Sequence, residues 1–163
     1  ILVSMETTYL NTPAGILKIE GDARGIVAIS FVETAAQNTK VLSANTQLAV
    51  VELEEYFSKK REAFSFNLQP SGTDFQKRVW NALVTIPYGK TVTYQHMANT
   101  LGDPKVIRAA ASANGKNPIA IVIPCHRVIG SDGSLIGYAG GLHRKKWLLA
   151  HESPVTQGSL FEQ

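Results

Sequence analysis

The side chains most able to do chemistry lie together in one short run. Cys125 is the only cysteine among 163 residues, and it follows Pro124 and precedes His126 and Arg127. A thiol attacks carbon as the thiolate, and a neighbouring imidazole or cation is the usual means of forming the thiolate near neutral pH. The run therefore indicates a nucleophilic cysteine. The alternative is an inert buried cysteine, which is the common state of a lone sulfur among isoleucine and valine.

The elements around the cysteine decide whether its neighbour can help it. Residues 121–123 are Ile, Val and Ile, which predicts a strand that ends at Cys125. Adjacent side chains on a strand point to opposite faces, so His126 reaches Cys125 only if the chain turns there or a water bridges the two groups. Glycines at positions 130, 133 and 137 permit an irregular backbone just beyond the run.

Composition is typical of a globular protein. Hydrophobic residues make up 44% and charged residues 18% of the chain, and no apolar run approaches the roughly 20 residues that span a membrane. We expect no membrane association, no secretion signal and, because a free thiol suits a reducing compartment, a cytoplasmic location. One cysteine and four histidines offer no zinc-ligand spacing. We therefore expect no metal and no cofactor.

Charge is unevenly distributed along the chain. The net charge is +3 and the pI is about 9.0, which is compatible with a polyanionic partner. Acidic residues are sparse in the second half, where the basic residues include Arg108, Lys116, Arg127, Arg144, Lys145 and Lys146. The second half is predicted to carry a basic face.

Two domains and a tail are predicted. Residues 1–70 read as a small α/β domain, because short runs rich in Thr, Ile and Val alternate with turn residues. Its predicted strands cover 6–10, 15–20, 25–32 and 64–68, and its helix covers 45–59. The predicted linker is Gln69-Pro70-Ser71-Gly72, and residues 71–153 read as a mainly helical domain. Residues 154–163 have the composition of a flexible tail.

Capping residues predict the helices of the second domain. Thr73 and Gln76 form a capping box that starts one helix, and Thr93 can cap a short helix ending near residue 101. Asp103 and Pro104 start a further helix that ends near residue 115. The last two helices are a helix-turn-helix candidate. The small residues at 109–113 suit close approach to a DNA groove or, equally, a tight helix contact in the core.

Taken together, these residues resemble the O6-alkylguanine-DNA alkyltransferase family. The resemblance is strong over residues 75–152 and holds in outline over the first seventy. The matching positions agree in order and spacing and are Tyr94, Arg108, Asn117, the run Pro124-Cys125-His126-Arg127-Val128, Tyr138 and Glu152. The resemblance implies a ribonuclease-H-like N-terminal domain with a mainly antiparallel sheet and a helix. It also implies a mainly α C-terminal domain with a winged-helix-like helix-turn-helix.

The activity that the resemblance implies is repair of DNA by direct alkyl transfer. Cys125 would accept the alkyl group from O6 of guanine, or from O4 of thymine, once per protein molecule. Glu152 would orient His126, which would act through a water as the base that forms the thiolate. Tyr138 would stack on the guanine and donate a proton to it. Asn117 would tie the recognition helix to the active-site strand.

The resemblance also implies that the damaged base is flipped out of the duplex. Arg108 would fill the vacated stack, and Tyr94 would rearrange the neighbouring phosphate. The recognition helix would enter the minor groove of duplex DNA, and binding would depend on salt because phosphate contacts carry it. We expect a monomer. The other DNA-binding candidates are Ala109, Ala110, Ala113 and Arg127.

A substrate pocket is predicted around the cysteine. Val128 and Ala139 would offer backbone hydrogen bonds to the base. Serine is common in relatives at the position of Ala139, but a backbone donor survives the change. The predicted wall is completed by Pro124 and by Ala120 and Ile136, where the family varies. Relatives with a structural zinc hold it through cysteine and histidine in the N-terminal domain, and this chain lacks the cysteines for such a site.

The tail carries a second motif. Residues 157–161 read Gln-Gly-Ser-Leu-Phe and resemble the Gln-x-x-Leu-Phe peptide that docks on the bacterial sliding clamp. Gln157, Leu160 and Phe161 are therefore candidate clamp-binding residues.

Two rival functions stay open at this point. One is a lesion-sensing DNA-binding protein of the same fold that transfers nothing. The other is a thiol hydrolase built on Cys125 and His126. A hydrolase needs an oxyanion hole, for which the sequence offers no candidate.

Overall fold

The computed structural model describes residues 4–154, which fall into two compact units. The first comprises the chain up to Ser71 together with Pro118–Val122, and the second comprises Gly72–Asn117 and the chain from Ile123 onward. None of the helices described is both long and apolar enough to cross a membrane. The candidate clamp-binding residues lie outside the described range; they are Gln157, Leu160 and Phe161.

The first unit is built on an antiparallel sheet of three strands in the order β1-β2-β3. They are β1 (Glu6–Thr12), β2 (Gly15–Asp22) and β3 (Gly25–Val32). Leu17 and Ile19 on β2 are fully buried, because alternate residues of a strand share one face. Helix α1 (Ala44–Phe57) contacts all three strands. The predicted strands over 6–32 and the predicted helix are confirmed.

The predicted fourth strand over residues 64–68 is wrong. This segment makes only an isolated bridge to β3. Its backbone donors are used by side chains of α1 instead: the N–H of Ser65 donates to Oε1 of Glu52 at 2.7 Å, and the N–H of Asn67 donates to Oδ1 of Asn45 at 2.8 Å. The alternating pattern of residues 64–68 therefore belongs to a segment that packs against α1. Side-chain acceptors of the helix replace the backbone hydrogen bonds that a strand would make.

The second unit is mainly helical, which agrees with the predicted fold class. Its helices are α2 (Asp74–Val84), α3 (Tyr94–Thr100), α4 (Ile107–Gly115) and α5 (Leu142–Glu152). A short parallel pair joins β4 (Val92–Thr93) to β5 (Val128–Ile129). Helix α4 contacts both α2 and α3.

Side-chain caps begin the helices where the sequence predicts them. Oγ1 of Thr73 accepts from the N–H of Gln76 at 3.1 Å, and Oε1 of Gln76 accepts from the N–H of Thr73 at 2.9 Å, so the capping box is confirmed. Oγ1 of Thr93 accepts from the N–H of His96 at 3.0 Å and begins α3. The helix predicted from Asp103 begins instead with a single 3-10 turn over Pro104–Val106 that leads into α4.

The strand predicted to end at Cys125 is also wrong. Ile121 has a φ of 74°, in the left-handed region that a strand excludes. The N–H of Val122 donates to the carbonyl of Ala120, and the N–H of Cys125 donates to that of Ile123, each at 2.8 Å. These bonds close tight turns of the backbone. The run of apolar side chains identifies a buried segment, but not an extended one.

Candidate active site

Cys125 lies in a one-turn 3-10 helix, Cys125–Arg127, and is only 7% exposed. Burial raises the pKa of its thiol, because the thiolate loses hydration; a hydrogen bond from Asn117 and the positive charge of Lys145 partly offset this. The Asn117 amide also donates to the carbonyl of Ile123 at 2.7 Å. It therefore connects the end of α4 with the segment that carries the thiol.

His126 is held by Glu152. The Nε2 of the imidazole lies 2.8 Å from Oε2 of the carboxylate, and both side chains are buried. When Nε2 carries the hydrogen and donates it to the carboxylate, Nδ1 keeps a free lone pair. Nδ1 is buried without a hydrogen-bond partner among the described residues. It is therefore the nitrogen that can receive a proton.

Arg127 completes the same carboxylate site. Its Nε donates to Oε1 of Glu152 at 2.8 Å and its Nη2 donates to Oε2 at 3.0 Å, which is a bidentate pair. Nη1 donates to the carbonyl of Ile86 at 2.7 Å, and the guanidinium lies 5.8 Å from the ring centre of Tyr88. The sequence analysis assigns Arg127 to DNA. That assignment does not fit a side chain that is buried with its donors engaged inside the protein.

The carboxyl of Glu152 stays ionised in this environment. Burial alone would raise its pKa, but the charge and hydrogen bond of His126 and those of Arg127 lower it well below the usual range. An ionised carboxylate beside Nε2 stabilises the imidazolium that forms when Nδ1 takes a proton. The arrangement is therefore that of a general base, His126, which the Glu152 carboxylate orients and stabilises in its protonated form.

Tyr138 lies on a loop without helix or strand between β5 and α5. Its hydroxyl is inaccessible to solvent and has no partner among the described residues. Burial, with the negative charges possible at Cys125 and Glu152, raises the pKa of the phenol well above its usual value. The group is therefore a donor that stays protonated. Ala139, the next residue, is exposed.

Tyr94, the first residue of α3, approaches the same loop. Its hydroxyl donates to the carbonyl of Ile136 at 3.1 Å. Burial raises the pKa of this phenol, the Cys125 charge adds to the rise, and the Asn114 amide opposes it. The side chain of Ile136 is 52% exposed. The backbone of this residue is thus held while its side chain faces solvent.

The predicted DNA-binding residues on helix α4 differ in their exposure to solvent. Arg108 and Ala109 are exposed, whereas Ala110 and Ala113 are each only 2% exposed. The indole Nε1 of Trp80 donates to the carbonyl of Ala113 at 2.9 Å. The tight helix contact predicted for small side chains is therefore present at Ala110 and Ala113. Ala110 and Ala113 allow α2 to approach, which leaves Arg108 and Ala109 as the members of the set that face solvent.

The predicted pocket residues lie in different surroundings. Val128 is fully buried, and its N–H donates to the carbonyl of Cys125 in the 3-10 turn. Pro124 is buried immediately before the cysteine. Ala120 belongs to the first unit, where its N–H donates to the carbonyl of Ile29 on β3 at 2.9 Å. The backbone donor of Val128 is thus already engaged within the protein.

Lys145 is predicted above only as part of a basic face, but its position in the structure differs from that prediction. Lys145 is fully buried. Burial lowers the pKa of its ammonium to about 8, against the opposing effect of the Cys125 charge. Its spacing carries a signal, because positions 145, 148, 149 and 152 lie on one face of α5. The residues there are Lys145, Leu148, Leu149 and Glu152, and all four are buried.

Metal binding finds no support in the described part of the chain. No group of three or more His, Cys, Asp or Glu side chains lies close enough together to hold a metal ion there.

Thiol reactivity provides a test of the raised pKa of Cys125. We expect native protein at pH 8 to react with iodoacetamide at least about tenfold more slowly than the same chain unfolded in urea. Because the folded pKa is the higher one, the native rate should still rise with pH where the unfolded rate has levelled off. Mass spectrometry of timed samples between pH 7 and 10 measures both curves. Superimposable native and unfolded curves would contradict the raised pKa.

Two family models match the chain, and each covers one part of it. The ribonuclease-like domain of 6-O-methylguanine DNA methyltransferase matches residues 5–70, and the DNA binding domain of the same family matches residues 74–154. A methylated-DNA–protein-cysteine methyltransferase from Methanosarcina barkeri is 46% identical over 152 residues, which is 88% of this chain and 94% of the relative.

Solved structures of high similarity come from Mycobacterium tuberculosis. The O6-methylguanine methyltransferase of that organism has a TM-score of 0.84 at 39% identity, covering 96% of this chain and 98% of the other. A structure of OGT from the same organism in complex with DNA has a TM-score of 0.80 at 40% identity, covering 93% and 95%.

Proposed function

Because the chain belongs to the O6-methylguanine DNA methyltransferase family, we propose that it repairs O6-alkylguanine, and O4-alkylthymine, in duplex DNA by transferring the alkyl group to Cys125. One observation carries the proposal. The only cysteine of the chain lies in the same buried turn as a histidine whose Nε2 is 2.8 Å from a buried carboxylate. A nucleophile and an oriented base that are neighbours in the chain support the proposal.

The chemistry balances within these groups. The thiol proton of Cys125 passes through a water to Nδ1 of His126, and Glu152 stabilises the resulting imidazolium. The sulfur electron pair forms the bond to the alkyl carbon as the carbon–O6 bond breaks. The departing electron pair stays on guanine, which takes a proton from the Tyr138 hydroxyl and becomes an ordinary base. Tyr138 regains, through water, the proton that His126 took from the thiol. The thioether offers no further nucleophile, so each molecule reacts once.

Tyr138 and Asn117 support the transfer in different ways. The protonated hydroxyl of Tyr138 donates a hydrogen bond to the guanine, which lowers the energy of the charge that develops there. Asn117 is a positioning residue that holds the thiol segment against the end of α4. Ala139 is exposed beside Tyr138 and offers its backbone to the base. These roles rest on the family resemblance and on the contacts of each side chain described above.

DNA is bound through α4 in this proposal. Arg108 and Ala109 are exposed on the helix, and the family match over residues 74–154 is to a DNA binding domain. The small Ala109 side chain lets the helix approach the minor groove, and Arg108 occupies the space of the flipped base. Tyr94 contacts the phosphate beside the target. The protein acts as a monomer in the cytoplasm, and its tail docks on a sliding clamp through the 157–161 motif.

The test is the fate of the methyl group. Protein is mixed with a duplex oligonucleotide that carries one O6-methylguanine with a radiolabelled methyl group, and its peptides are mapped by mass spectrometry. We expect one methyl group per molecule, on the peptide that contains Cys125, and no second turnover when more DNA is added. The Cys125→Ser variant and undamaged DNA are the controls.

Each rival function predicts a different outcome. A lesion-sensing protein would bind the duplex without acquiring label. A thiol hydrolase would release label to solution over many turnovers. Either result would overturn the proposal.

A further inference from the structure

Lys145 is a buried cation without a carboxylate partner in the described chain. Its side chain is fully buried on α5, and no Asp or Glu oxygen of residues 4–154 lies within 4 Å of its Nζ. Burying an ammonium is costly unless its donors are satisfied. A methionine or leucine would fill the same space at lower cost. The contacts of Lys145 should therefore account for the presence of a lysine at this buried position.

The contacts of Lys145 converge on the loop that carries Tyr138. Nζ donates to the carbonyl of Ile136 at 2.7 Å and to that of Gly137 at 3.3 Å. It also lies 5.8 Å from the centre of the Tyr94 ring, within the range of a cation–π contact. The two carbonyls accept hydrogen bonds from the ammonium, and the ring of Tyr94 adds an electrostatic contact. The two carbonyls belong to the residues immediately before Tyr138.

One carbonyl joins three elements. The oxygen of Ile136 accepts from Nζ of Lys145 on α5 and from the hydroxyl of Tyr94 on α3. The loop needs such an attachment, because it has no ladder or helix bonds and the side chain of Ile136 is half exposed. Gly137 has a φ of 50°, so the backbone turns sharply just before Tyr138. Hydrogen bonds from Lys145 and Tyr94 therefore hold the backbone of the loop next to the buried hydroxyl of Tyr138.

We propose that Lys145 is a positioning residue that fastens the Tyr138 loop beside Cys125 through the carbonyls of Ile136 and Gly137. The proposal rests on the proposed function, in which Tyr138 acts at the guanine. Lys145 touches neither base nor alkyl group in it. Losing the attachment lets Tyr138 move away from its productive position, and displacement of about 1 Å can cost about a hundredfold in rate.

Two substitutions at the site and one beside it test this. Lys145→Met keeps the length and burial of the side chain and removes its donors, whereas Lys145→Arg keeps charge and donors. Lys146→Met is the matched control, because Lys146 is exposed on the same helix. Hydrogen exchange of the peptide spanning 136–141 reports on the loop without any DNA. Single-turnover transfer over a range of DNA concentrations separates the rate constant at saturation from DNA affinity.

For Lys145→Met we expect loop amides to exchange at least about tenfold faster. We also expect the transfer rate constant to fall about a hundredfold, while the dissociation constant for DNA changes less than about threefold. Lys145→Arg should recover most of both losses. Lys146→Met should leave both the loop and the rate constant unchanged. A purely structural role would not produce this split between rate and affinity.

Several results would overturn the inference. If the loop amides of Lys145→Met exchange at the native rate, Lys145 does not hold the loop. If they exchange faster but the transfer rate constant is unchanged, the attachment has no role in transfer. If Lys145→Met does not fold, Lys145→Leu, which also lacks donors, replaces it, and exchange equal to that of the native loop again refutes the attachment. If the native protein transfers no methyl group, the proposed function fails, but the exchange comparison still decides whether Lys145 holds the loop.

Discussion

Replacing Glu152 with glutamine is expected to slow alkyl transfer by about a thousandfold or more and to destabilise the fold by about 3–5 kcal/mol. The carboxylate accepts one hydrogen bond from His126 and two from Arg127. An amide has one oxygen and one NH2 group, so it places a donor against a donor and leaves the buried guanidinium without its countercharge. An NH2 group facing Nε2 also favours the tautomer that protonates Nδ1, which removes the base.

The stability that Glu152 contributes depends on pH. The pKa of Glu152 is lower in the folded state than the value of about 4.3 expected when unfolded. The unfolded chain therefore takes up the proton first as the pH falls, and the stabilising contribution is complete above about pH 5 and is lost progressively below pH 4. Glutamine does not titrate. The difference in unfolding free energy between native protein and variant should shrink as the pH is lowered.

Urea unfolding between pH 3 and 7 and single-turnover transfer measure the two effects of the Glu152 substitution. Glu54→Gln is the control, because Glu54 is exposed on α1, and it should change neither quantity appreciably. A variant at Glu152 that is destabilised as expected but transfers at the native rate would show that the carboxylate serves the fold alone.

The second large effect is expected at Arg108. We expect Arg108→Ala to slow repair of duplex DNA about a hundredfold, with reaction of the free O6-alkylguanine base changed less than about twofold. The reason is that the side chain is exposed on α4 and is assigned to the space left by the flipped base, which a free base does not require. Parallel transfer assays on the two substrates give the comparison.

Two controls separate flipping from charge. Lys116→Ala removes one positive charge at the other end of the same helix, where Lys116 is exposed, and it should weaken binding through the salt-dependent term only. When the lesion lies opposite an abasic site, flipping the damaged base costs less free energy. On such a duplex, the loss of repair rate caused by Arg108→Ala should therefore be smaller. Equal losses of Arg108→Ala on free base and duplex would count against the flipping role.

Local signals in the sequence account well for the parts of the fold that they determine directly. The capping box at Thr73 and Gln76 predicts the start of α2 because both of its hydrogen bonds lie within four residues. The first three strands follow from alternation and turn residues. The segment over 64–68 could not be predicted, because its backbone donors go to Glu52 and Asn45, whose positions depend on how α1 packs.

The same limit applies at the site. The family resemblance predicts that Cys125 is a nucleophile and that His126 is a base oriented by Glu152, but the sequence does not show that the chain turns at Cys125 instead of extending. Arg127 looked like a DNA contact because a charge near a basic face is usually solvated, and only the packing shows it beside Glu152. Lys145 could have been identified, because its helical spacing with buried Leu148 and Leu149 marks an inward-facing position.

The buried hydroxyl of Tyr138 has a thermodynamic consequence as well as a chemical one. A donor that is buried, and has no partner within residues 4–154, costs the folded state about 1–3 kcal/mol. A bound ligand that accepts a hydrogen bond from the Tyr138 hydroxyl removes this cost. Because such a ligand binds the folded state, it also raises the melting temperature of the protein. Folding stability and lesion recognition are therefore coupled through one phenol. Occupancy of the site can therefore be followed as a rise in melting temperature, without any measurement of repair.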